Sequence, residues 1–327
     1  MSAPVGVARE LAASLLAPAA AEVDATGVLP RGLLDALAAA GLYGVIGPAE
    51  AGGLDADEAT FAAVVEEIAA GDLATAFVWL QHHGAVGRLA AAGSGPGLLA
   101  DLCGGRVRAG IALQAATRPD AAPVTAREDG GDLVLDGAVP WVTGWGLVDL
   151  LLVAARDGDD VVFVLVDAVE GPTLAVEPQS LVAVQASATV ELRLGGHRVP
   201  ADRLLGRAPL AEVRAGDPAG LRLNGSLSLG LVARCARLVG PSPLDDDLAA
   251  ARSRLDAAGP EELPDARAGA AALAHRAAGA LVVATGSGAV RTGSVAERTA
   301  REALFLLVFG SRPAIRASLL TRLGAAG

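Results

Sequence analysis

The sequence predicts a three-part α+β protein: an N-terminal helical domain, a middle antiparallel β domain and a C-terminal helical bundle. Three observations predict it. Apolar residues recur at helical spacing early in the chain, as in Phe61, Val64, Val65 and Ile68. From about residue 109 they alternate instead, between closely spaced Asp- and Gly-rich turns that suit antiparallel pairing. After Arg207 the helical pattern returns and runs to Gly327, broken at Pro241, Pro243, Pro260 and Pro264. The expected domains are therefore 1–108, 109–208 and 209–327.

In the first domain, Leu33, Leu34, Leu37 and Leu42 form one helical stripe, with Gly41 as C-cap. Asp55 is expected to open a capping box with Glu58. Gly93-Ser94-Gly95-Pro96-Gly97 reads as a loop before another short helix. In the second domain, Leu133–Leu135 and Val139–Thr143 read as strands joined by a turn at Asp136-Gly137. Leu150–Ala154 and Val161–Val166 flank a second turn, Asp157-Gly158-Asp159-Asp160. Val190, Leu192 and Leu194 alternate with Glu191 and Arg193, as a half-buried strand requires.

Composition excludes several classes of function. Residues are 52% hydrophobic and 19% charged, too apolar for a disordered chain. Aromatics are only 3%, so closely packed alanine-rich helices are expected. A net charge of −11 leaves no basic footprint for nucleic acid and would be repelled by an anionic membrane. The chain has no lysine, which excludes a Schiff-base or P-loop lysine. Cys103 and Cys235 form no CxxC pair and suit core thiols in a reducing compartment. The N-terminus lacks the pattern of a signal peptide, and the apolar run Gly146–Ala155 is interrupted by Asp149. A cytoplasmic protein without a membrane span is the expectation.

Several motifs have bland alternatives. Gly286-Ser287-Gly288 mimics a dinucleotide fingerprint, but position 291 is Arg and the preceding stretch reads as helix. Ser226-Leu227-Ser228-Leu229-Gly230 lacks the first glycine of a nucleophile elbow and reads as a helix start. His82-His83 has no nearby partners for a metal and reads as a polar pocket wall. Trp141-Val142-Thr143-Gly144-Trp145-Gly146 leaves two readings open. It is either a strand that buries a tryptophan, or a platform for a planar ligand with Thr143 serving its heteroatoms.

Longer stretches carry a resemblance. Gly41–Ile46 with Pro48–Gly53 matches "GLxGxxxPxxxGG"; Asp136-Gly137 with Trp141-Val142-Thr143 matches "NGxKxWIT". Gln185–Thr189 with Val199–Gly206 matches "RxSxTxxLxFxxVxVPxxxLLG", and Ala296–Ala303 matches "VERLLRDA". In order and spacing the chain resembles the acyl-CoA dehydrogenase family. The resemblance implies FAD as cofactor, and acyl-CoA or another acyl thioester as substrate. It also implies an oligomer, homomeric or with another subunit of the family, in which FAD is shared between chains. A carboxylate would remove the proton α to the thioester carbonyl, while the β-hydride passes to the flavin. Thr117, Trp141, Val142 and Thr143 are then expected at the cofactor, and Ser187 on the substrate side.

The departures are chemical. Val308-Phe309-Gly310-Ser311 stands where the family has "IYEG", so the usual glutamate base falls on Gly310. The family's alternative base position falls near Leu221-Arg222, and Asp217 is the nearest acid there. Two flavin clamps, "RxQFG" and "QxxGG", become Arg237–Pro241 and Val283–Ser287. Two functions compete: an FAD-dependent oxidoreductase on the CH–CH group of an acyl thioester, and a degenerate subunit completing a hetero-oligomer. A flavin-dependent monooxygenase of the same fold is a third.

Overall fold

Small apolar side chains let the first hundred residues coil into closely packed helices, and the computed structural model describes residues 3–117, 122–215, 218–310 and 312–325. The helices are α1 (Ala3–Leu11), α2 (Ala17–Thr26), α3 (Arg31–Ala39), α4 (Glu58–Gly71), α5 (Leu73–Ala92) and α6 (Pro96–Cys103). A wide π-type turn over Ala12–Leu16 joins α1 to α2. Gly41 follows α3 in left-handed backbone, where its amide caps Ala38. The cap of α4 is Asp57, not Asp55: its carboxylate accepts from the Thr60 amide at 2.8 Å. Asp55 instead adopts a left-handed conformation. Helix α5 is buried on nearly every face, the mark of a central helix.

The chain then becomes a sheet: β1 (Ala109–Ala112), the short α7 (Gln114–Thr117), β2 (Thr125–Asp129), β3 (Asp132–Val142), β4 (Leu150–Asp157), β5 (Asp160–Asp167), β6 (Leu174–Pro178), β7 (Val190–Val199) and β8 (Leu204–Pro209). The strand order is β6-β7-β3-β2-β4-β5-β8, with β1 beside β4. Asp157 pairs with Asp160 across a two-residue turn, as the sequence predicts. The other hairpin turn is displaced. It lies at Gly130-Gly131, both at positive φ, where a two-residue connection between twisted strands demands it. Asp136-Gly137 lies inside one continuous strand, at a register shift against β7. The sheet is not wholly antiparallel either, since β1 runs parallel to β4.

Helices return as α8 (Leu210–Ala215), α9 (Pro218–Val239), α10 (Pro243–Ala257), α11 (Leu263–Thr285), α12 (Val295–Val308) and α13 (Pro313–Arg322). Ser226–Gly230 is interior to α9, not a helix start. The principal core joins α4 and α5 to α9, α11 and α12, through Ile68, Trp79, Leu231 and Leu281 among others. Leu227, Leu231 and Leu281 are thus buried within the chain itself, whereas Leu238 is exposed. Among the described residues, one helical stretch, Leu263 to Val290 (α11 and the 3-10 turn after it), is long and apolar enough to cross a membrane by length and composition. Its Ala270, Ala271, Ala274 and Ala277 are buried in the protein core.

Candidate functional site

The end of β3 turns sharply out of the sheet. Val142 stays in the sheet core, but Trp141 before it has φ 64° and a ring left 46% exposed. A tryptophan in left-handed backbone is strained by about 1–3 kcal/mol and persists only where surrounding structure fixes it. Here that structure is the β6–β7 connection. The Gly144 amide donates to Ser187 O at 2.8 Å and the Trp145 amide to Ala188 O at 3.1 Å. Val184 (φ 51°) and Ala188 (φ 47°) flank the short turn Gln185–Ser187. Three of the four described non-glycine residues at positive φ therefore meet at this one place.

Three hydroxyls lie between the two segments. Ser187 Oγ is 2.8 Å from Thr189 Oγ1, which is 3.4 Å from Thr143 Oγ1. All three residues are buried. The structure thus brings Thr143 and Ser187 together through Thr189, a residue inside the Gln185–Thr189 motif that carried no assigned role. Arg31 also reaches this region, donating from Nη1 to Gly146 O at 3.1 Å. Long-range spacing gave no signal for that contact.

Thr117 ends α7, a helix packed on β3 and β4. Asp217 lies outside the described residues. Gly310 is placed by other elements. It follows α12 with φ 60°, and the nearest atom to where its Cβ would stand is Asn224 Nδ2 on α9, at 3.1 Å. Arg267 of α11 donates to Leu306 O and Phe309 O, at 3.1 and 3.2 Å, and so fixes the turn into Gly310. Complete burial pushes the Arg267 guanidinium down to about 10. At the other base position Leu221 is buried, and Arg222 is held by Asp256 and Ser226. Where the resemblance sets the glutamate, the chain has Gly310, with the Asn224 amide beside it.

Two buried glutamates are paired with arginines. Glu302 contacts Arg234 and Arg298, and burial raises its carboxyl above the usual range. Glu66 is raised for the same reason and accepts two bonds from Arg252. His82 and His83 do not form a pocket wall. The Ala109 amide donates to His82 Nδ1, so the Nε2–H donates to Leu102 O. The His83 ring packs against Phe61 and Trp79, and burial pushes it down to about 4. Among the described residues, no group of three or more His, Cys, Asp or Glu could hold a metal.

Comparison with known proteins sets this geometry in context. The profile of the acyl-CoA dehydrogenase N-terminal domain matches residues 5–95. The probable acyl-CoA dehydrogenase fadE25 of Mycobacterium leprae is 30% identical over 210 residues, 61% of this chain and 54% of that protein. The probable acyl-CoA dehydrogenase YngJ of Bacillus subtilis is 27% identical over 221 residues, with 61% and 56% covered. The chain thus aligns with about half the length of these curated relatives. Butyryl-CoA dehydrogenase from Megasphaera elsdenii shares the fold with a TM-score of 0.83 at 18% identity, over 98% of this chain and 96% of that one. A Mycobacterium smegmatis glutaryl-CoA dehydrogenase, solved with FADH2, gives 0.82 at 18% identity, over 99% and 94%. With the helix–sheet–helix order, these likenesses lead to one assignment: the chain has the acyl-CoA dehydrogenase fold, and its residues 5–95 match that family's N-terminal domain.

Proposed function

We propose that this chain is an FAD-binding, acyl-CoA dehydrogenase-like flavoprotein that takes an acyl thioester. The observation that carries the reading is the row of buried hydroxyls, Thr143, Thr189 and Ser187, beside the exposed Trp141 ring. These residues fit a flat heteroaromatic ring. The indole offers a face, and the Thr143 hydroxyl is the member of the row on the same strand end as that indole. When bound, FAD would supply the hydride acceptor for oxidation of a CH–CH group.

The chain's own residues divide the work of binding. Trp141 excludes water from one side of the ring. Thr143 gives or takes one hydrogen bond at the ring's edge. Ser187 is fully buried and bonded to Thr189, so it acts through that bond by fixing the hydroxyl row. Val142 contributes through backbone alone, its side chain lying in the sheet core. Two free, buried cysteines support a reducing, cytoplasmic setting.

A second reading is favoured by one observation, the Asn224 amide beside the bare Gly310. An amide cannot take up a proton at neutral pH, so the chain on its own is a poor dehydrogenase. It then serves as a subunit whose neighbour, a family member with its base intact, completes the reaction.

The test is the visible spectrum of the purified protein, followed by anaerobic titration with a panel of acyl-CoAs. Bound flavin that bleaches only when a full relative is co-expressed supports the subunit reading. Rapid bleaching by the chain alone overturns it. Absence of flavin binding under both conditions overturns the whole proposal.

A further inference from the structure

We propose that Arg301 is a positioning residue: from α12 it holds the β6–β7 connection in the shape that aligns Thr143 and Trp141. The inference rests on the flavin reading for its purpose, but its geometry stands without it.

Arg301 lies in the Ala296–Ala303 motif, which has no part in the site as described so far. Its Nη1 donates to Val182 O at 2.9 Å and to Asp24 Oδ1 at 3.0 Å. Its Nη2 reaches Asp24 and also Glu297, 3.0 Å away, while Nε donates to Glu297. One guanidinium therefore joins α2, α12 and the connection between β6 and β7. Carboxylates on two helices brace it, so the planar fork presents a fixed donor to the Val182 carbonyl.

That carbonyl lies two residues before Val184, the first of the two left-handed residues that flank the turn. A β-branched residue at positive φ relaxes unless the flanking chain is held. Gln185 ties the turn internally, to the Leu181 amide and the Gln179 carbonyl. A small cavity of about 10 Å³ beside Val184–Ala186 is lined also by Asp24, Asp72 and Glu302, room for about one water. Arg301 supplies the external hold. On the far side of the turn, Ser187 O and Ala188 O accept from the Gly144 and Trp145 amides. Force applied at Val182 is thus passed to the segment that carries Thr143. An ordinary partly exposed ion pair has no such route, because it touches no strained backbone.

The experiment measures hydrogen exchange at the Gly144 and Trp145 amides of the full chain, alongside its urea unfolding. Arg301→Gln is expected to speed exchange at both amides by about tenfold relative to global opening. Arg301→Lys, which keeps the charge but not the planar fork, should restore part of the protection; if the glutamine variant does not fold, the lysine variant carries the comparison. Arg9→Gln, which removes the Arg9–Glu67 pair on α1 and α4, should leave both amides unchanged. FAD affinity is measured on the same proteins and should weaken with Arg301→Gln but not with Arg9→Gln. If the unmodified chain binds no FAD, the flavin reading fails while the exchange result still decides the positioning role. Unchanged exchange at the two amides, or acceleration no greater than that of the whole protein, would overturn the proposal.

Discussion

The amide nitrogen of Asn224 stands 3.1 Å from the point where a Cβ on Gly310 would sit. Gly310, which follows α12, is therefore a spatial neighbour of α9, three residues past Leu221. Neither Gly310 nor Asn224 is an acid. Any side chain placed at Gly310 must push this amide back by a few tenths of an ångström and also adopt φ 60°.

Gly310→Ala is accordingly expected to lower stability by about 1–2 kcal/mol, the cost of left-handed backbone for an L-residue. Urea unfolding measures it. Gly310→Glu alone should bleach bound flavin no faster than the unmodified chain. Combined with Asn224→Gly, which clears the amide, it should bleach faster. Equal rates for the single and double variants would show that Asn224 does not block the position.

Thr189→Val keeps the side-chain shape but removes the hydroxyl between Ser187 and Thr143. Leaving buried polar groups unpaired costs about 1–3 kcal/mol, so stability should fall by that order. FAD affinity should fall as it does for Thr143→Val, while Thr189→Ser should recover most of both. Full FAD affinity in Thr189→Val would remove Thr189 from the site.

His83 sets a pH dependence. Its native value is depressed to about 4, against about 6.5 in the unfolded chain. Between those values the unfolded state binds the extra proton. The contribution is fully present above pH 6.5 and is lost as pH falls toward 4, to the extent of about 3 kcal/mol. Glu66 and Glu302, raised by burial, act in the opposite direction, so the comparison must be made between variants. His83→Gln should flatten the stability profile over this window. An unchanged slope would mean that His83 already titrates normally in the folded state.

Val283 and Val290, near the end of α11, are more than four-fifths exposed. If they meet another chain, Val283→Asp should shift the protein toward monomer in concentration-dependent light scattering. A mass independent of both concentration and substitution would exclude this face from the assembly.

Much of the fold was legible because it is written locally. The stripe Leu33, Leu34 and Leu37, the run Phe61 to Ile68 and the turn at Gly158 each carry their own period or turn chemistry. Asp136-Gly137 misled because Gly130-Gly131 lies only six residues away and offers the same turn chemistry. Tertiary pairing with β7 chose between them. The parallel pairing of β1 with β4 links segments about forty residues apart, and no local period encodes it. Trp141 and Thr143 stood out by composition and motif. The reach of Arg301 to Val182, and of Asn224 to Gly310, exists only after the chain has folded.

The three tryptophans end at three depths: Trp79 fully enclosed with its indole N–H on Leu42 O, Trp145 half covered, and Trp141 open. The molecule thereby carries an optical depth gauge. Trp79 should emit as a shielded, blue-shifted fluorophore indifferent to aqueous quenchers, and it reports the integrity of the helical core. Trp141 should supply the red, quencher-sensitive part of the emission. Loss of the fold should therefore expose Trp79 to an aqueous quencher, whereas a ligand on the proposed platform should shield Trp141 from it.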